Sequence, residues 1–484
     1  MTQGGAPVRI DGHSLTCRTI AQVARDGCGV QLDAEALARA REAWEQAESI
    51  AQRRQVYGRT TGVGANRHEA VGGEAALGHA LRLLRSHAGG IGPLLPADHV
   101  RATLVVRLNQ LAAGGSGIHP RMLEALEQTI DTGALPAVHQ LGAIGTGDLT
   151  MLAEIGLTLA GERPWAVGGL PPVQVDLGDA LALMSSNAAT LAEAALACGD
   201  LQVLLRASHV VAALSYRALG GSPEAYAAVV HQARPHPGQV RCASEMRRLL
   251  GMTGSPVAGR RIQDPFGLRA FPQVQGPALD SLDDLERILE IEVNAMAENP
   301  LVSTEVGDVF HHAHFHTAYV AVALDEARAA LHHVAELSTA RLGDLVEPSM
   351  TDLPPFLASG PAGSSGVMIL EYVAQDALAQ LRHAALPVTL GTAVVSRGLE
   401  DHASFSTQAA RQAAAAVEAF RYVLACELVA AVRALRMQDA DLADVPVGTA
   451  LARAVEVLDP VLDDRSLTSD VELAAGLLPE LADV

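Results

Sequence analysis

Gly145-Thr146-Gly147-Asp148 places a hydroxyl between two glycines, directly before an apolar segment. The apolar spacing that follows, through Leu159, predicts a helix whose N-cap or first turn contains Asp148. One interpretation is a turn and a helix cap, because aspartate is a favoured capping residue. The other interpretation is a reactive centre at Thr146. The local pattern leaves both open.

Two further stretches carry groups that can do chemistry. The run VYGRTTGVGANRHEAVG, Val56 to Gly72, is rich in glycine and polar residues, which is typical of a flexible linker or a functional loop. The run FHHAHFH, Phe310 to His316, overlaps a short strand pattern from Asp308 to Phe315. In a strand, the alternate histidines would share one face, as metal ligands do. We interpret them instead as residues that line a polar pocket or are tolerated, and we predict no metal.

Helices must position these groups, because the sequence predicts a mostly α protein with a central bundle of long helices. The helices are predicted at 33–55, 74–88, 96–114, 148–159, 179–214, 279–298, 317–342, 364–388 and 407–437. The segment from Asp179 to Leu214 is apolar on all sides, which predicts a buried helix. We predict a loop-rich N-terminal domain, 1–200, that carries the Tyr57 loop and the Gly145-Thr146-Gly147 turn. A long-helix bundle domain, 201–484, follows it, and helices this apolar also favour a homo-oligomer.

Composition excludes several classes of protein. The formal charge is −20, which disfavours nucleic acid and anionic membranes as partners. No signal peptide and no membrane-spanning run is evident, so we expect a cytoplasmic protein. All 35 basic residues are arginine. The absence of lysine excludes a Walker phosphate loop and a pyridoxal phosphate Schiff base.

An ordered set of motifs resembles the histidine and aromatic amino acid ammonia-lyase family. The motifs are VYGRTTGVG, RSHAGGIG, GTGDLTMLAEIGLTLAGE, QDPFGLRAFPQVQG, AENPLV, HFH, LPPFL, GSSGVMI and LEDHAS, from about Val56 to Ser406. The resemblance implies the helical ammonia-lyase fold and a homotetramer whose active sites take residues from several subunits. It also implies release of ammonia from histidine, phenylalanine or tyrosine.

The tripeptide departs from this family. Its members build a methylidene-imidazolone electrophile autocatalytically from Ala-Ser-Gly, whereas this chain has Gly145, Thr146 and Gly147. Dehydration of threonine would give an ethylidene group, whose extra methyl hinders attack. We therefore predict no cofactor. The alternative is a Thr-derived group of the same kind, formed by these three residues.

Other positions match the family. The resemblance implies that Tyr57 is the base that removes the β-proton, which requires a lowered phenol pKa. It implies that Arg269 binds the substrate carboxylate, for which the guanidinium fork is suited. His87 faces the substrate ring in histidases, and Phe315 packs against that ring. Glu400 matches the glutamate found where the substrate is an imidazole, whose N–H a carboxylate can accept.

Two positions near the substrate amine also depart from the family. Phe266 replaces a tyrosine, and Ser185 stands where the family has asparagine, although Asn187 is close enough to leave that alignment open. The groups that hold the carboxylate and remove the β-proton are thus kept, while those that activate the amine are altered.

These observations predict a carbon–nitrogen lyase acting on an imidazole-bearing or aromatic α-amino acid derivative. The leaving group is ammonia or a quaternary amine such as trimethylamine, which ergothionases, an electrophile-free branch of the family, release from a betaine. One alternative is an ammonia-lyase or aminomutase with the Thr-derived group. The other is an inactive relative that binds a small carboxylate.

Overall fold

A computed structural model describes residues 6–76, 78–254 and 258–484, without the side chains of Glu74 and Ala75. It is 59 % helical, which confirms the prediction of a mostly α chain. In the described residues the helices are α1 (Cys17–Arg25), α2 (Ala34–Ala51), α3 (His79–His87), α4 (Ala97–Ala112), α5 (Arg121–Thr132), α6 (Leu149–Leu159), α7 (Asp179–Met184), α8 (Ala188–Leu219), α9 (Ala228–Gln232), α10 (Pro237–Leu249), α11 (Phe266–Arg269), α12 (Phe271–Val293), α13 (Ala318–Val346), α14 (Pro348–Thr351), α15 (Ile369–Ala384), α16 (Ser406–Met437), α17 (Val447–Val457) and α18 (Thr468–Leu481). The strands are β1 (Val8–Ile10), β2 (Val30–Leu32), β3 (Ile91–Leu94), β4 (Leu135–Pro136), β5 (His139–Leu141), β6 (Trp165–Val167), β7 (Leu301–Ser303) and β8 (Asp308–Phe310).

The chain forms two compact units, and each is assembled from separate segments. The first comprises residues 1–199, 285–324 and 387–411, and the second comprises 200–284, 325–386 and 412–484. The boundary predicted near residue 200 for two continuous domains stays a prediction.

The first unit contains every strand of the described residues. They form four two-stranded sheets: β1 pairs with β2 in parallel, and β3 with β5, β4 with β6 and β7 with β8 are antiparallel. Side-chain caps define the early helices. Thr16 and Thr19 form a reciprocal capping box at α1, and Asp33 accepts a hydrogen bond from Glu35 N at the start of α2.

The helix predicted over 179–214 is interrupted, which corrects that prediction. α7 ends at Met184 and α8 begins at Ala188. The interruption follows from competing hydrogen bonds: Ser186 O accepts one from Asp148 N at 2.7 Å, and the Asn187 side chain binds the backbone of two other segments. The apolar pattern could not reveal these distant partners.

The segment from Asp179 to Leu219 is long and apolar enough to cross a membrane by length and composition. However, 72 % of its most apolar window is buried inside the protein. It therefore packs as a core segment does.

The second unit is held by a buried ion pair. The Arg341 guanidinium donates to both oxygens of Glu427, at 2.6 and 2.8 Å, and both side chains are fully buried. Ser215 and Ser338 each donate a further hydrogen bond to this carboxylate at 2.6 Å. Such a buried pair is tolerated because the charges are matched and hydrogen-bonded.

Candidate active site

One cavity in the first unit gathers most of the residues singled out from the sequence. Its volume is about 770 Å³. Six of the predicted residues line it: Tyr57, Thr146, Gly147, Ser185, Phe315 and Glu400. The other lining residues are Arg54, Gln55, Thr61, Arg67, His68, Leu149, Leu181, Asn299, His311 and Leu399. Three loops far apart in sequence thus converge on one space large enough for an amino acid.

Tyr57 lies at the start of the glycine-rich loop, which is folded back on itself. The loop closes because Gly64 N donates a hydrogen bond to the Tyr57 phenol oxygen at 2.6 Å. Tyr57 N in turn donates to His311 Nε2 at 3.3 Å, and the two rings meet edge to face. The stretch is therefore a functional loop rather than a linker.

The electrostatics of Tyr57 differ from the sequence-based expectation. Burial raises its pKa above the ordinary value of 10, and the nearby Glu400 carboxylate raises it further. The Gly64 N–H and the Arg67 guanidinium oppose this, because they favour the phenolate. Within this chain the pKa is therefore raised, whereas a base at neutral pH requires a lowered one.

Glu400 is presented by a short reversal of the chain in which Val395 N donates to Glu400 O at 2.8 Å. Burial raises the pKa of its carboxyl, and the positive charge of His87 lowers it. His87 ends α3, and its Nδ1 lies 2.9 Å from Leu83 O, so this nitrogen carries the hydrogen and donates to the carbonyl. His87 itself is not among the residues that line the cavity.

The tripeptide adopts a backbone that requires glycine at both ends. Gly145 has φ +83° and Gly147 has φ +111°, in the left-handed region. At Gly145 a side chain is also excluded by packing, because a Cβ there would lie 2.1 Å from Ser404 Oγ. The alanine that the family carries at this position does not fit here.

Asp148 is the N-cap residue of α6, which confirms its predicted position, but its side chain makes no capping hydrogen bond. Its carboxylate instead accepts hydrogen bonds from Thr190 N at 2.7 Å and Thr190 Oγ1 at 2.8 Å. Burial raises the Asp148 pKa to about 6. The side chain thus ties the start of α6 to the first turn of α8.

The tripeptide fits the ring-forming chemistry of the family. Closure would join the Gly147 nitrogen to the Gly145 carbonyl carbon. Asn187 Oδ1 accepts the hydrogen of that N–H at 3.0 Å, and Ser404 Oγ donates to that carbonyl oxygen at 2.8 Å. These contacts polarise the nucleophile and the electrophile in the direction that closure needs.

Arg269 and Phe266 belong to the second unit, and neither is among the residues that line the cavity. Arg269 Nε donates to Asp264 O at 2.7 Å, and its guanidinium carbon lies 4.4 Å from the centre of the Phe266 ring. The two terminal nitrogens of Arg269 have no protein partner in the described part of the chain. They keep the fork that a carboxylate would occupy.

The histidine run is not a strand, which corrects that prediction. β8 ends at Phe310, and 311–317 is irregular. The rings of His312 and His314 stack 4.0 Å apart, whereas His316 Nε2 pairs with His402 Nδ1 at 2.9 Å. The three alternate histidines therefore do not share a face. Within the described ranges, the group of side chains spaced for a metal lies elsewhere, at His332, His333 and Glu336 of α13.

Sequence reasoning missed seven polar residues that line the cavity: Arg54, Gln55, Thr61, Arg67, His68, Asn299 and His311. Asn299 N donates to Ser185 Oγ at 2.9 Å, so it anchors the residue that replaces the family asparagine. Arg67 lies in the same glycine-rich run as Tyr57, and His311 lies in the FHHAHFH run, but arginines and histidines recur in these runs, so neither residue could be singled out by its type.

Comparisons with known proteins identify the class to which this fold and cavity belong. The family model for aromatic amino acid lyases matches residues 15–459. The chain is 34 % identical to a histidine ammonia-lyase of Geobacillus thermodenitrificans, covering 98 % of this chain and 97 % of the relative. It is 33 % identical to a tyrosine ammonia-lyase of Cupriavidus metallidurans, covering 98 % and 96 %.

Solved structures agree with this assignment. An ergothionase from Treponema denticola superposes with a TM-score of 0.91 at 25 % identity, covering 99 % of this chain and 100 % of that one. A tyrosine aminomutase from Streptomyces globisporus gives a TM-score of 0.91 at 30 % identity, covering 98 % and 97 %. The chain belongs to the aromatic amino acid lyase family, which confirms the resemblance, and it is an ammonia-lyase-family enzyme with the helical lyase fold.

The prediction that the chain has no cofactor is wrong for a protein with these relatives. Histidine ammonia-lyases and aminomutases generally use the methylidene-imidazolone group, although the ergothionase does not. The physical argument for its absence rested on the extra methyl of Thr146. The contacts at Gly145 and Gly147 described above show that the neighbouring side chains nevertheless suit ring closure.

Proposed function

We propose that this enzyme releases ammonia from an imidazole-bearing α-amino acid, histidine or a close derivative, after Tyr57 removes the β-proton. One observation carries the proposal: Tyr57, Thr146 and Glu400 line the same cavity. In this proposal a proton acceptor, the tripeptide and a carboxylate for the ring surround one substrate-sized space.

Tyr57 acts as the base in its phenolate form. Its oxygen takes the β-proton, and the Gly64 N–H, 2.6 Å away, stabilises the negative charge before that transfer. Because burial and Glu400 raise the phenol pKa, the substrate or a neighbouring subunit must supply further positive charge at neutral pH.

Glu400 selects the ring. A carboxylate accepts an imidazole N–H and gains nothing from a phenyl ring. Burial raises the Glu400 pKa, and His87 lies close enough to oppose part of that rise. Phe315, which lines the same cavity, supplies an apolar surface for the ring.

Gly145, Thr146 and Gly147 would hold the electrophile of the family. When formed, it would supply the electrophilic activation that makes the substrate amine a better leaving group. Within this chain, Asn187 and Ser404 hold the backbone of the tripeptide, and Ser185 stands at the cavity wall beside it.

The substrate carboxylate needs a cation, and Arg269 does not line the cavity of its own chain. We propose a homotetramer in which a neighbouring copy supplies this arginine, as the family resemblance implies. The free fork of Arg269, fixed by Asp264 and Phe266, supports this assignment.

A trimethylammonium betaine is the second candidate substrate, favoured by the structural likeness to ergothionase. Phe266 would contact the quaternary nitrogen through its ring. One face of that ring already carries the Arg269 guanidinium, so the cation would have to use the other face.

The test is turnover by the purified protein. Histidine, tyrosine, phenylalanine and their trimethyl betaines are supplied, and conjugated acrylate absorbance, ammonia, trimethylamine and β-amino acids are measured. We expect an imidazole acrylate and ammonia from histidine or a derivative. Trimethylamine from betaines alone would select the second candidate, β-amino acids would indicate an aminomutase, and no product from any substrate would refute the proposal.

A further inference from the structure

A second, smaller cavity of about 350 Å³ adjoins the Tyr57 cavity. It is lined by Ala65, Arg67, Ser396, Arg397, Gly398 and Leu399. Arg67 and Leu399 line both cavities, so the two spaces adjoin at these residues. A ligand whose reacting end lies beside Tyr57 would reach the second cavity by passing these two side chains.

Two exposed arginines face this space without a protein counter-ion. In the described residues, neither the Arg67 nor the Arg397 side chain forms a hydrogen bond or an ion pair with another residue. By contrast, Arg54, which also lines the Tyr57 cavity, donates to both oxygens of Asp308 at 2.9 and 3.1 Å. In a chain with a formal charge of −20, this one cavity is thus lined by two arginines that have no carboxylate partner.

The loops that carry Arg67 and Arg397 are joined by a hydrogen bond. Ala65 N donates to Ser396 Oγ at 3.1 Å, and a Cβ at Gly64 would lie 2.7 Å from that oxygen. Ser396 and Arg397 both have positive φ, +53° and +56°. Non-glycine residues occupy this region at a free-energy cost, and such strain concentrates at functional sites.

We propose that Arg67, assisted by Arg397, binds a second acidic group of the substrate, so that the enzyme prefers an α-amino acid whose side chain carries a carboxylate or a comparable anion. The guanidinium fork of Arg67 matches such a group bidentately. The substrate's own α-carboxylate is assigned to Arg269. This inference rests on the proposed function of the Tyr57 cavity, since the acidic group is located relative to the reacting end there.

The experiment compares twin ligands that differ only in charge. Ring-carboxylated aromatic α-amino acids, as each ring isomer, are paired with their neutral carboxamides. Binding is measured by calorimetry and turnover by acrylate absorbance, for the wild type and for R67Q, R397Q and R18Q. Arg18 is an exposed arginine of α1 that lines neither cavity, so R18Q controls for the loss of one positive charge.

We expect at least about tenfold tighter binding of one carboxylate isomer than of its carboxamide, which corresponds to about 1.4 kcal/mol. R67Q should abolish this preference, R397Q should weaken it, and R18Q should keep it. Equal binding of the twins by the wild type, or an unchanged preference in R67Q, would overturn the inference.

Two further outcomes separate the inference from the proposed function. Preferential binding that depends on Arg67, without acrylate from any substrate, would support the anion subsite and refute the lyase proposal. Inorganic phosphate is the probe for a free anion. Phosphate binding that is lost in R67Q, without a preference between the twins, would show a site for a free anion and overturn the substrate assignment.

Discussion

Asn187 Oδ1 accepts a hydrogen bond from the backbone N–H of Gly147 at 3.0 Å. The same side-chain amide donates to the backbone oxygen of Phe315, so one residue fixes both the tripeptide and a wall of the cavity. Asn187 can do this because the helix is interrupted between Met184 and Ala188. The break in an otherwise apolar helix therefore helps to shape the wall of the candidate site.

This contact predicts the behaviour of N187A. Without the acceptor, the Gly147 nitrogen loses the partner that orients it toward the Gly145 carbonyl, so we expect a smaller fraction of chains to lose the two waters of cyclisation and dehydration. Intact mass spectrometry measures that fraction. Asn66, an exposed residue of the Tyr57 loop, supplies the control N66A. Equal modification in N187A and the wild type would count against this role.

Replacing Tyr57 by phenylalanine should remove the base and leave the packing of the ring. General base catalysis contributes about 10²–10⁴-fold, so we expect kcat to fall by at least about 100-fold. Substrate affinity, measured by calorimetry, should change little. Tyr372, which is 67 % exposed, gives the matched control Y372F. A Y57F enzyme with near-normal kcat would remove Tyr57 from the mechanism.

The pH dependence follows from the raised pKa of Tyr57. Only the phenolate accepts the proton, so kcat/KM should rise with pH until Tyr57 of the free enzyme has lost its proton. The Glu400 charge contributes to this raised pKa, so E400Q should move the rising limb to lower pH. Profiles normalised to their own maxima separate this shift from weaker substrate binding. E69Q, at an exposed carboxylate of the same loop, should leave the limb in place.

Gly145 should not tolerate the alanine that is usual in the family. The new Cβ would lie 2.1 Å from Ser404 Oγ on a backbone with φ +83°. Overpacking of this kind costs about 1–3 kcal/mol, so G145A should lower the melting temperature. The double variant G145A/S404G should recover part of the loss. If G145A were as stable as the wild type, the loop around Ser404 would have moved aside without loss of stability, and the prediction would be wrong.

From the pKa of Glu193 we predict a pH dependence of the free energy of unfolding, separate from the pH dependence of activity. Burial raises its pKa from the ordinary 4.5 to about 7, although Arg411 partly opposes this. A raised pKa means that the native state holds the proton more tightly than the unfolded state. The resulting stability is complete below pH 4.5 and is lost as pH rises toward 7.

E193Q has no such proton to lose. Relative to the wild type, the free energy of unfolding of E193Q should therefore rise between pH 4.5 and pH 8. The rise should be on the order of 1–3 kcal/mol, because the side chain is only partly exposed. Chemical unfolding at several pH values measures the difference. E35Q, at an exposed carboxylate of α2, is the control. Parallel stability curves for E193Q and the wild type would contradict the assignment.

The sequence by itself determined the class of this protein. The order of motifs from Val56 to Ser406 identified the family. Most predicted helices are present, but their ends are shifted by several residues where the sequence did not indicate how the helix is capped. Thr146, Tyr57 and Glu400 were singled out from their types and neighbours, and they do line one cavity. Motif order and apolar periodicity are local properties, so a linear sequence carries them directly.

Only the tertiary structure decided which partners each group has. The break before Ala188, the diversion of Asp148 to Thr190 and the irregular path of the histidine run all arise because distant polar groups compete for hydrogen bonds. The two guanidiniums of the second cavity stand out for a related reason. Whether an arginine has a counter-ion depends on which carboxylates lie near it in space, and the spacing of residues along the chain does not reveal that distance.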